Sequence, residues 1–154
     1  MKTLNNYINE ALIKKDTKIK TWNYFPKDKE ELKSLIKDLL QERGKDANLN
    51  DIDTSAITNM SNLFYTLDIH NIDISEWDVS NVRTMENMFY KCENFNSDLS
   101  HWDVSSVKDM TYMFSVCKNF NCDLSQWDVC NRTDTFGMFY LCISLKNKPK
   151  WYKK

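Results

Sequence analysis

Residues 77–126 consist of WDVSNVRTMENMFYKCENFNSDLSH followed by WDVSSVKDMTYMFSVCKNFNCDLSQ, two consecutive 25-residue copies of one pattern. A third copy opens at Trp127, and a weaker fourth occupies residues 52–76, where Ile52 stands in place of tryptophan. The register runs without a gap from residue 52 to residue 142. A fixed period of this length is typical of repeat proteins, in which each unit buries its apolar side chains against its neighbours.

The spacing of apolar residues within a copy predicts a short helix and a brief strand. Between residues 82 and 92 they recur every three or four positions, and Ser80 is a suitable N-cap. The segment 98–104 is too short for a helix and is predicted as a strand. We therefore expect the α/β class, as a short leucine-rich-repeat-like solenoid of about four 25-residue repeats with an N-terminal helical cap. Side-chain ladders are expected at Trp77, Trp102 and Trp127; Phe89, Phe114 and Phe139; Met88, Met113 and Met138; and Cys92, Cys117 and Cys142.

The pattern W-D-V-S-N-V-x-x-M-x-x-M-F-x-x-C-x-x-F-N-x-D-L-S, over about residues 52–145, resembles a known repeat. It is similar to the 25-residue repeat of BspA-type leucine-rich-repeat surface proteins and of mycoplasma-type lipoproteins. The resemblance implies a curved α/β solenoid with a role in surface attachment and protein binding. It implies no catalytic residue and no cofactor.

The chain is expected to divide into an N-terminal helical cap, residues 1–50, and a repeat solenoid, residues 51–154. An open stack exposes apolar surface at its ends, so each end needs a cover. Residues 26–44 predict an amphipathic capping helix with acidic residues in its first turn, and a further helix is expected near residues 3–14.

The final copy is predicted to be a degenerate capping repeat. Arg132 replaces a buried valine, and Pro149 replaces a leucine in the predicted strand. Proline cannot donate to a ladder of backbone hydrogen bonds, and the lysines near the end of the chain discourage pairing between edges. We therefore expect the stack to stop at this copy.

Charge and composition restrict the possible partners. The chain carries 21 basic and 22 acidic side chains, a net charge of −1, but residues 51–126 hold only 4 basic residues against 12 acidic ones. This excess of acids argues against direct nucleic-acid binding by the repeats. No apolar stretch approaches a membrane span, and the first residues lack the apolar core of a signal peptide. A cytoplasmic protein without membrane contact is expected.

The cysteines and histidines do not form a recognisable reactive motif. Cys92, Cys117 and Cys142 lie on the apolar face of the predicted helix, and no C-x-x-C pair occurs. Of the two histidines, His70 replaces the core residue Phe95 and is predicted to be a packed ring, whereas His101 occupies a variable, exposed position. We therefore expect no catalytic residue, no metal site and no cofactor.

Two columns of aspartates recur at the repeat spacing. Asp53, Asp78, Asp103 and Asp128 share one position, and Asp73, Asp98 and Asp123 share another. One interpretation is that each carboxylate accepts backbone hydrogen bonds at a turn, which offsets the repulsion between neighbouring charges. The alternative is an outward-facing negative patch for a basic partner. Calcium shared between the carboxylates is a third possibility.

Variable positions in a constant frame are where specificity can arise. The hypothesis is a non-enzymatic protein-protein interaction module, such as an inhibitor or adaptor that binds a basic partner surface, and that is itself a monomer or weakly self-associating. The alternative is a structural or attachment protein, such as a particle subunit or a surface adhesin fragment, and an enzyme ranks third. The candidate partner-binding residues are Glu76, His101, Gln126, Asp78, Asp103, Asp128, Tyr112 and Phe136.

Overall fold

The computed structural model describes residues 20–152 and contains one helix in that range. The helix, α1, spans Lys29–Arg43 and confirms the helix predicted over residues 26–44. Its buried side chains, Leu32, Ile36 and Leu39, join the core shared with the repeats. The predicted helix near residues 3–14 lies outside the described residues.

Local capping interactions set the ends of α1. The Asp28 carboxylate accepts hydrogen bonds from the backbone N–H groups of Glu30 and Glu31 at 2.9 and 3.0 Å. At the other end Gly44, with φ at 86°, donates its N–H to the carbonyl of Leu40 at 2.9 Å. An Asp N-cap and a glycine just past the last turn are favourable at these two positions.

The predicted α/β leucine-rich-repeat solenoid is wrong. Residues 20–152 form no helix besides α1 and no strand or sheet. The only β-type pairing within that range is a set of isolated parallel bridges, three of which link Asn59, Thr84, Asp109 and Asp134 in succession. The 25-residue units are nevertheless in contact, and we call them rungs 1 to 4: residues 52–76, 77–101, 102–126 and 127–151.

The segment predicted as a helix in each rung is a series of tight turns. In rung 2 the N–H groups of Met88, Tyr90 and Cys92 donate to carbonyls three residues earlier, at 3.0–3.1 Å. The intervening N–H groups donate instead to rung 3, as in Phe89 N–H to Met113 O at 2.9 Å. Asn87 and Lys91 have φ values of 53° and 58°, which an α-helix does not allow. Half of the backbone N–H groups of this segment thus donate to the next rung and not within the segment, so a helix cannot form.

The predicted strand at residues 98–104 is also a turn. Ser100 N–H donates to the Asp98 carboxylate at 2.9 Å, and Trp102 N–H donates to Leu99 O at 3.1 Å. Both hydrogen bonds are made within the segment, so these N–H groups are not available to pair with a neighbouring strand. The indole Nε1 of Trp102 donates across to Ile74 O of rung 1 at 3.1 Å.

The predicted stacking of identical side chains is confirmed for Trp77 with Trp102 and for the phenylalanine ladder. The rings of Trp77 and Trp102 lie 6.5 Å apart and within 2° of parallel. Phe114 stacks on Phe89 at 5.5 Å and on Phe139 at 5.9 Å. All five side chains are at most 4% exposed. Because each buried indole also finds a carbonyl acceptor, the ladder satisfies its polar atoms while it buries apolar area.

The stack has one further layer at each end, and at the C-terminal end the last residues of rung 4 supply it. Residues 45–51 lie against residues 70–76, with Leu49 N–H donating to Asp73 O at 2.9 Å. At the other end Trp151 stacks on Trp127 at 6.1 Å, and its Nε1 donates to Leu124 O at 2.9 Å. The tryptophan ladder therefore has a fourth member that the 25-residue register does not predict.

Candidate functional site: an acidic strip beside a basic cleft

Each Asp-x-Ser sequence closes a small turn at the surface of a rung. In rung 3 the Ser105 N–H and hydroxyl both donate to Asp103 Oδ1, at 3.1 and 2.6 Å. Ser80 makes the same two bonds to Asp78 in rung 2, at 3.0 and 2.7 Å. The turn consumes one carboxylate oxygen and fixes the orientation of the side chain.

The second aspartate column is built in the same way. Ser75, Ser100 and Ser125 each donate their N–H to the aspartate two residues earlier, at 3.2, 2.9 and 2.9 Å respectively. The two columns are five residues apart along the chain and form three successive pairs: Asp73 with Asp78, Asp98 with Asp103, and Asp123 with Asp128. The turn interpretation is therefore confirmed for Asp53, Asp78 and Asp103 in the first column and for all three members of the second, whereas Asp128, which is followed two residues later by Cys130, accepts no such bond within residues 20–152.

The same side chains also form a continuous negative surface, which we call the acidic strip. Its segments, residues 73–81, 98–106 and 123–131, contain seven acidic side chains and no lysine or arginine. Within residues 20–152, Glu76 is the only member that forms an ion pair, with Lys20 at 3.6 Å. The members are Asp73, Glu76, Asp78, Asp98, Asp103, Asp123 and Asp128, all exposed except the half-buried Asp73.

The turns favour the ionised form of two central members of the strip, Asp98 and Asp103. The hydroxyl and N–H of Ser105 hold the pKa of Asp103 below its usual value. Hydrogen bonds from the backbone N–H and hydroxyl of Ser100 lower the pKa of Asp98 in the same way. Hydrogen bonds to the charged form of a carboxyl group favour that form.

The structure brings most of the predicted site residues together. Glu76, His101 and Gln126 are exposed and lie between the two aspartate columns, next to Asp78, Asp103 and Asp128 along the chain. Tyr112 and Phe136 are separate from them, since Tyr112 lies nine residues further along rung 3 than Asp103.

Tyr112 and Phe136 form an aromatic pair of their own. Their rings meet edge to face, with centroids 5.4 Å apart. The Tyr112 ring lies over Gly137, where a Cβ atom would come within 2.2 Å of a ring carbon. Phe136 is 67% exposed, and Tyr112 is half-buried. Glycine at position 137 thus provides the space in which the tyrosine packs.

A basic cleft lies next to the acidic strip along each rung. Its volume is about 610 Å³, and its lining includes Arg83, Lys108 and Arg132 together with Cys130 and Ser106. The lining contains no carboxylate. None of the three cations pairs with an acidic side chain in the part of the chain that the structure describes. Opposite charges therefore face solvent on neighbouring parts of the same surface.

A model of the family described as "Mycoplasma protein of unknown function, DUF285" matches residues 31–151. The chain belongs to the DUF285 family. The matched range includes most of α1 and all four rungs. The mycoplasma component of the predicted resemblance is thereby confirmed as membership of a repeat-type family. No curated protein and no solved structure is significantly similar to the chain.

The cysteine ladder of this DUF285 protein lies in its interior. Cys92 and Cys117 are fully buried, as predicted, and Cys142 is half-buried. Each Sγ–H donates to a carbonyl of the preceding rung at 2.9 Å. Burial raises the pKa of the Cys92 thiol to about 12 and that of Cys142 to about 11. A thiol with such a pKa is a poor nucleophile at neutral pH.

The prediction for His70 is wrong. Its side chain is 38% exposed and lies between two carboxylates, with Nε2 3.5 Å from Asp68 and Nδ1 3.9 Å from Asp46. The core position is occupied instead by Phe95 and Phe120 in the next two rungs. Among residues 20–152 no group of three or more His, Cys, Asp or Glu side chains is arranged to hold a metal ion. The helix found there is too short and too polar to cross a membrane.

Sequence reasoning missed an apolar surface on rung 4. Phe136, Tyr140, Leu141 and Ile143 are between 49% and 75% exposed. The repeat alignment contained a signal for it: the position of Ile143 holds Asp68, Glu93 and Lys118 in the earlier rungs. A charged position that becomes apolar in one copy indicates that the surroundings of that copy differ.

Proposed function

We propose that this DUF285 protein is a binding module without catalytic function, and that its acidic strip recognises a basic protein surface. The observation that supports this most directly is the set of seven acidic side chains in three equivalent segments, 73–81, 98–106 and 123–131, which contain no lysine or arginine. Glu76, His101 and Gln126 vary within that frame and would tune the fit. An inhibitor or an adaptor would both use the surface in this way.

The physical basis is long-range attraction combined with a fixed geometry. Carboxylates held by Asx turns lose little conformational entropy when a partner binds, because their orientation is set in advance. Aligned charges of one sign also speed the encounter with an oppositely charged surface. Both effects weaken as salt is added, since the screening length falls to about 8 Å at physiological ionic strength.

Isosteric variants can test this proposal without disturbing the turns. Asparagine supports the same turn, because Ser61 donates its N–H and its hydroxyl to Asn59 Oδ1 at 2.8 and 2.7 Å in rung 1. The test variant is D103N/D128N. The matched control is D109N/D134N, which removes two charges from the column in which rung 1 naturally carries Asn59.

Binding is measured by calorimetry with a ten-residue lysine peptide. A glutamate peptide of equal length checks that binding depends on the sign of the peptide's charge. We expect D103N/D128N to weaken lysine-peptide binding several times more than D109N/D134N does, and added salt to abolish the difference. Equal losses in the two variants would indicate a response to net charge alone. Binding that ignores ionic strength would also contradict the proposal.

A second proposal, a structural or attachment protein, is favoured by one observation. The apolar side chains exposed on rung 4 are suited to a contact between chains. Analytical ultracentrifugation distinguishes the two roles, because an assembling subunit forms ordered oligomers as its concentration rises. A sedimenting monomer at all concentrations would remove this alternative.

A further inference from the structure

The repeats place all their uncompensated cations in one cleft. Residues 52–145 contain five lysine and arginine side chains. Lys118 forms an ion pair with Glu93 at 2.8 Å, and the Lys91 ammonium lies 5.4 Å from the centre of the Tyr90 ring. The other three form no ion pair within residues 20–152 and line the basic cleft: Arg83, Lys108 and Arg132. Like charges that share a cleft repel one another, and a bound anion would relieve that repulsion.

Three consecutive rungs contribute one of these cations each. Arg83 in rung 2 and Lys108 in rung 3 share a repeat position, and Lys108 N–H donates to Arg83 O at 2.8 Å. In rung 4 that position is Thr133, and the cation is Arg132, one residue earlier. Arg132 is exposed, whereas Val107 at its own repeat position is buried. Because paired backbones lie about 4.8 Å apart, the three positions span about 10 Å along the stack.

Most of the other polar groups in the cleft are already engaged. The Ser105 hydroxyl donates to Asp103 at 2.6 Å, and the Thr133 hydroxyl donates to Val107 O at 2.8 Å. The side-chain donors that remain for a ligand are the three cationic groups and the Ser106 hydroxyl. A volume of about 610 Å³ is typical of a small-molecule site. The cleft is therefore suited to a small ligand that carries several negative charges.

Carboxylates border the cleft on both sides along the chain. In rung 3 the lining residues 105–108 lie between Asp103 and Asp109, and rung 4 repeats the arrangement with Asp128 and Asp134. A long polyanion such as a nucleic acid would extend across these negative charges and be repelled by them. A compact anion that stays within the cleft would meet only the cations.

We propose that the basic cleft binds a short chain of linked phosphoryl groups, such as inorganic tripolyphosphate or the triphosphate of a nucleotide. Arginine pairs with phosphate oxygens through two parallel hydrogen bonds, and lysine adds a point charge. A chain of phosphoryl groups can meet the three cations in turn, whereas a single phosphate group can neutralise only part of the row. The cleft is separate from the acidic strip, and its occupant does not depend on the function proposed for the strip.

Calorimetric titration of the full chain with inorganic tripolyphosphate, without divalent cations, tests this directly. Tripolyphosphate should bind, and orthophosphate and citrate should bind at least about tenfold more weakly. ATP distinguishes the two sources of the phosphoryl chain. Equal affinity for ATP would show that a nucleotide can supply it, and a preference for tripolyphosphate would favour the inorganic source. Binding of ATP alone would show that the nucleoside carries the recognition, and would overturn the proposal.

The double variant R83Q/K108Q should weaken tripolyphosphate binding about tenfold or more. The matched control is K91Q/K118Q, which removes two positive charges from the same two rungs outside the cleft. It should leave the affinity almost unchanged, because exposed charges at a distance are screened by salt. All four side chains are exposed, so both variants should fold, and thermal unfolding verifies this.

Cys130 provides a readout within the cleft itself. It is the only exposed cysteine of the five, and it lines the cleft two residues before Arg132. Alkylation of its thiol by iodoacetamide, a neutral reagent, should become several times slower when tripolyphosphate is saturating. C130S places there the serine of the three earlier rungs and should remove the signal. Unchanged alkylation with tripolyphosphate bound would locate the anion elsewhere and overturn the proposal.

Three further results would also overturn it: no binding of tripolyphosphate, equal affinity for citrate, or an equal loss in the two double variants. D103N/D128N should bind tripolyphosphate at least as tightly as the wild type, because it removes carboxylates that border the cleft. Weaker binding in that variant would contradict the location of the anion. The same variant should weaken lysine-peptide binding to the acidic strip, so either site can fail without the other.

Discussion

The two ends of the stack are covered in different ways. At the N-terminal end α1 lies over the first rung with three fully buried side chains, and its own backbone hydrogen bonds are satisfied within the helix. At the C-terminal end Trp151 and Tyr152 cover the aromatic ladders. The turn segment of rung 4 exposes apolar side chains, and its N–H groups at Thr135, Gly137 and Leu141 have no acceptor within residues 20–152.

The difference shows that burying a core and ending a backbone ladder are separate problems. The helix α1 solves the first, because it presents apolar side chains to the core. It does not continue the ladder, since the carbonyls of residues 59, 61, 63 and 65 have no donor within residues 20–152. Two aromatic residues likewise solve only the first. The two ends therefore differ in what they leave unpaired, which is acceptors at the N-terminal end and donors at the C-terminal end, and in the apolar side chains exposed on rung 4.

Both ends pack against the aromatic ladders between them. The largest loss of stability should therefore come from substitutions in the middle of the stack. Trp102→Ala or Phe114→Ala should lower the free energy of unfolding by about 3 to 5 kcal/mol, as expected for buried aromatic residues. Urea denaturation measures the change. Phe136→Ala, at 67% exposure, is the control and should change it by less than about 0.5 kcal/mol. Wild-type stability in either core variant would refute the stacked arrangement.

The next largest effect should separate the two ends. Ile36→Ala should cost about 2 to 4 kcal/mol, because Ile36 is completely buried between α1 and the repeats. Ile143→Ala at the C-terminal end should be close to neutral, since its side chain is 75% exposed. Thermal unfolding of both variants tests this contrast. Similar losses at the two sites would mean that the C-terminal edge is covered in the free protein.

The glycines at the two ends sharpen the comparison. Gly137→Ala should cost about 1 to 2 kcal/mol, because the new Cβ meets the Tyr112 ring at a φ of 63°. Gly44→Ala should also destabilise the protein, but through backbone strain alone, because its φ of 86° and ψ of −175° disfavour any other residue while its Cβ would meet nothing within 4 Å. Replacing Tyr112 by Asn, the residue of rungs 1 and 2, should relieve part of the cost at position 137. A double-mutant cycle measures this coupling, and additive effects would contradict it.

The smallest effects should appear in the pH dependence of stability. Asp51, towards the N-terminal end, should act at acidic pH, and Tyr152, at the C-terminal end, should act at alkaline pH. The Arg43 guanidinium, 2.9 Å from the Asp51 carboxylate, lowers the pKa of Asp51. The stabilisation from Asp51 is then complete above about pH 4 and is lost as the pH falls further. Burial raises the pKa of Tyr152, so the unfolded chain ionises first and stability falls as the pH rises beyond about 10.

Denaturation series at acidic and alkaline pH test this assignment. D51N should flatten only the acidic limb of the stability profile, and Y152F should reduce only the alkaline loss. The buried thiols also contribute to the alkaline limb, so Y152F should not remove that loss completely. A change in the opposite limb by either variant would contradict the roles given to the two residues.

The repeat register, the core residues and α1 were predictable from the sequence, but the elements of the repeat were not. Val82, Met85 and Met88 are all fully buried, as the spacing predicts. A spacing of three or four residues fits a helix, and it equally fits tandem turns in which every fourth residue has a positive φ. Asn87 and Lys91 adopt that conformation, and no rule based on burial distinguishes the two backbones.

The candidate site was predictable from the sequence only where it depends on local interactions. Asp-x-Ser turns are local, so the carboxylate turns could be anticipated from residues such as Asp103 and Ser105. The basic cleft and the apolar surface of rung 4 depend on how the rungs align. Trp151 was missed because it lies 24 residues after Trp127, one residue outside the register.

The sequence by itself determined the period, the identity of the buried side chains and the residues that close α1, because these follow from the order and polarity of near neighbours. Only the tertiary structure decided where the backbone hydrogen bonds go and which part of rung 4 stays open. The physical reason is that alternate donors in the turn segments find their acceptors 24 residues away, in the next rung. Such a bond exists only once the rungs are stacked.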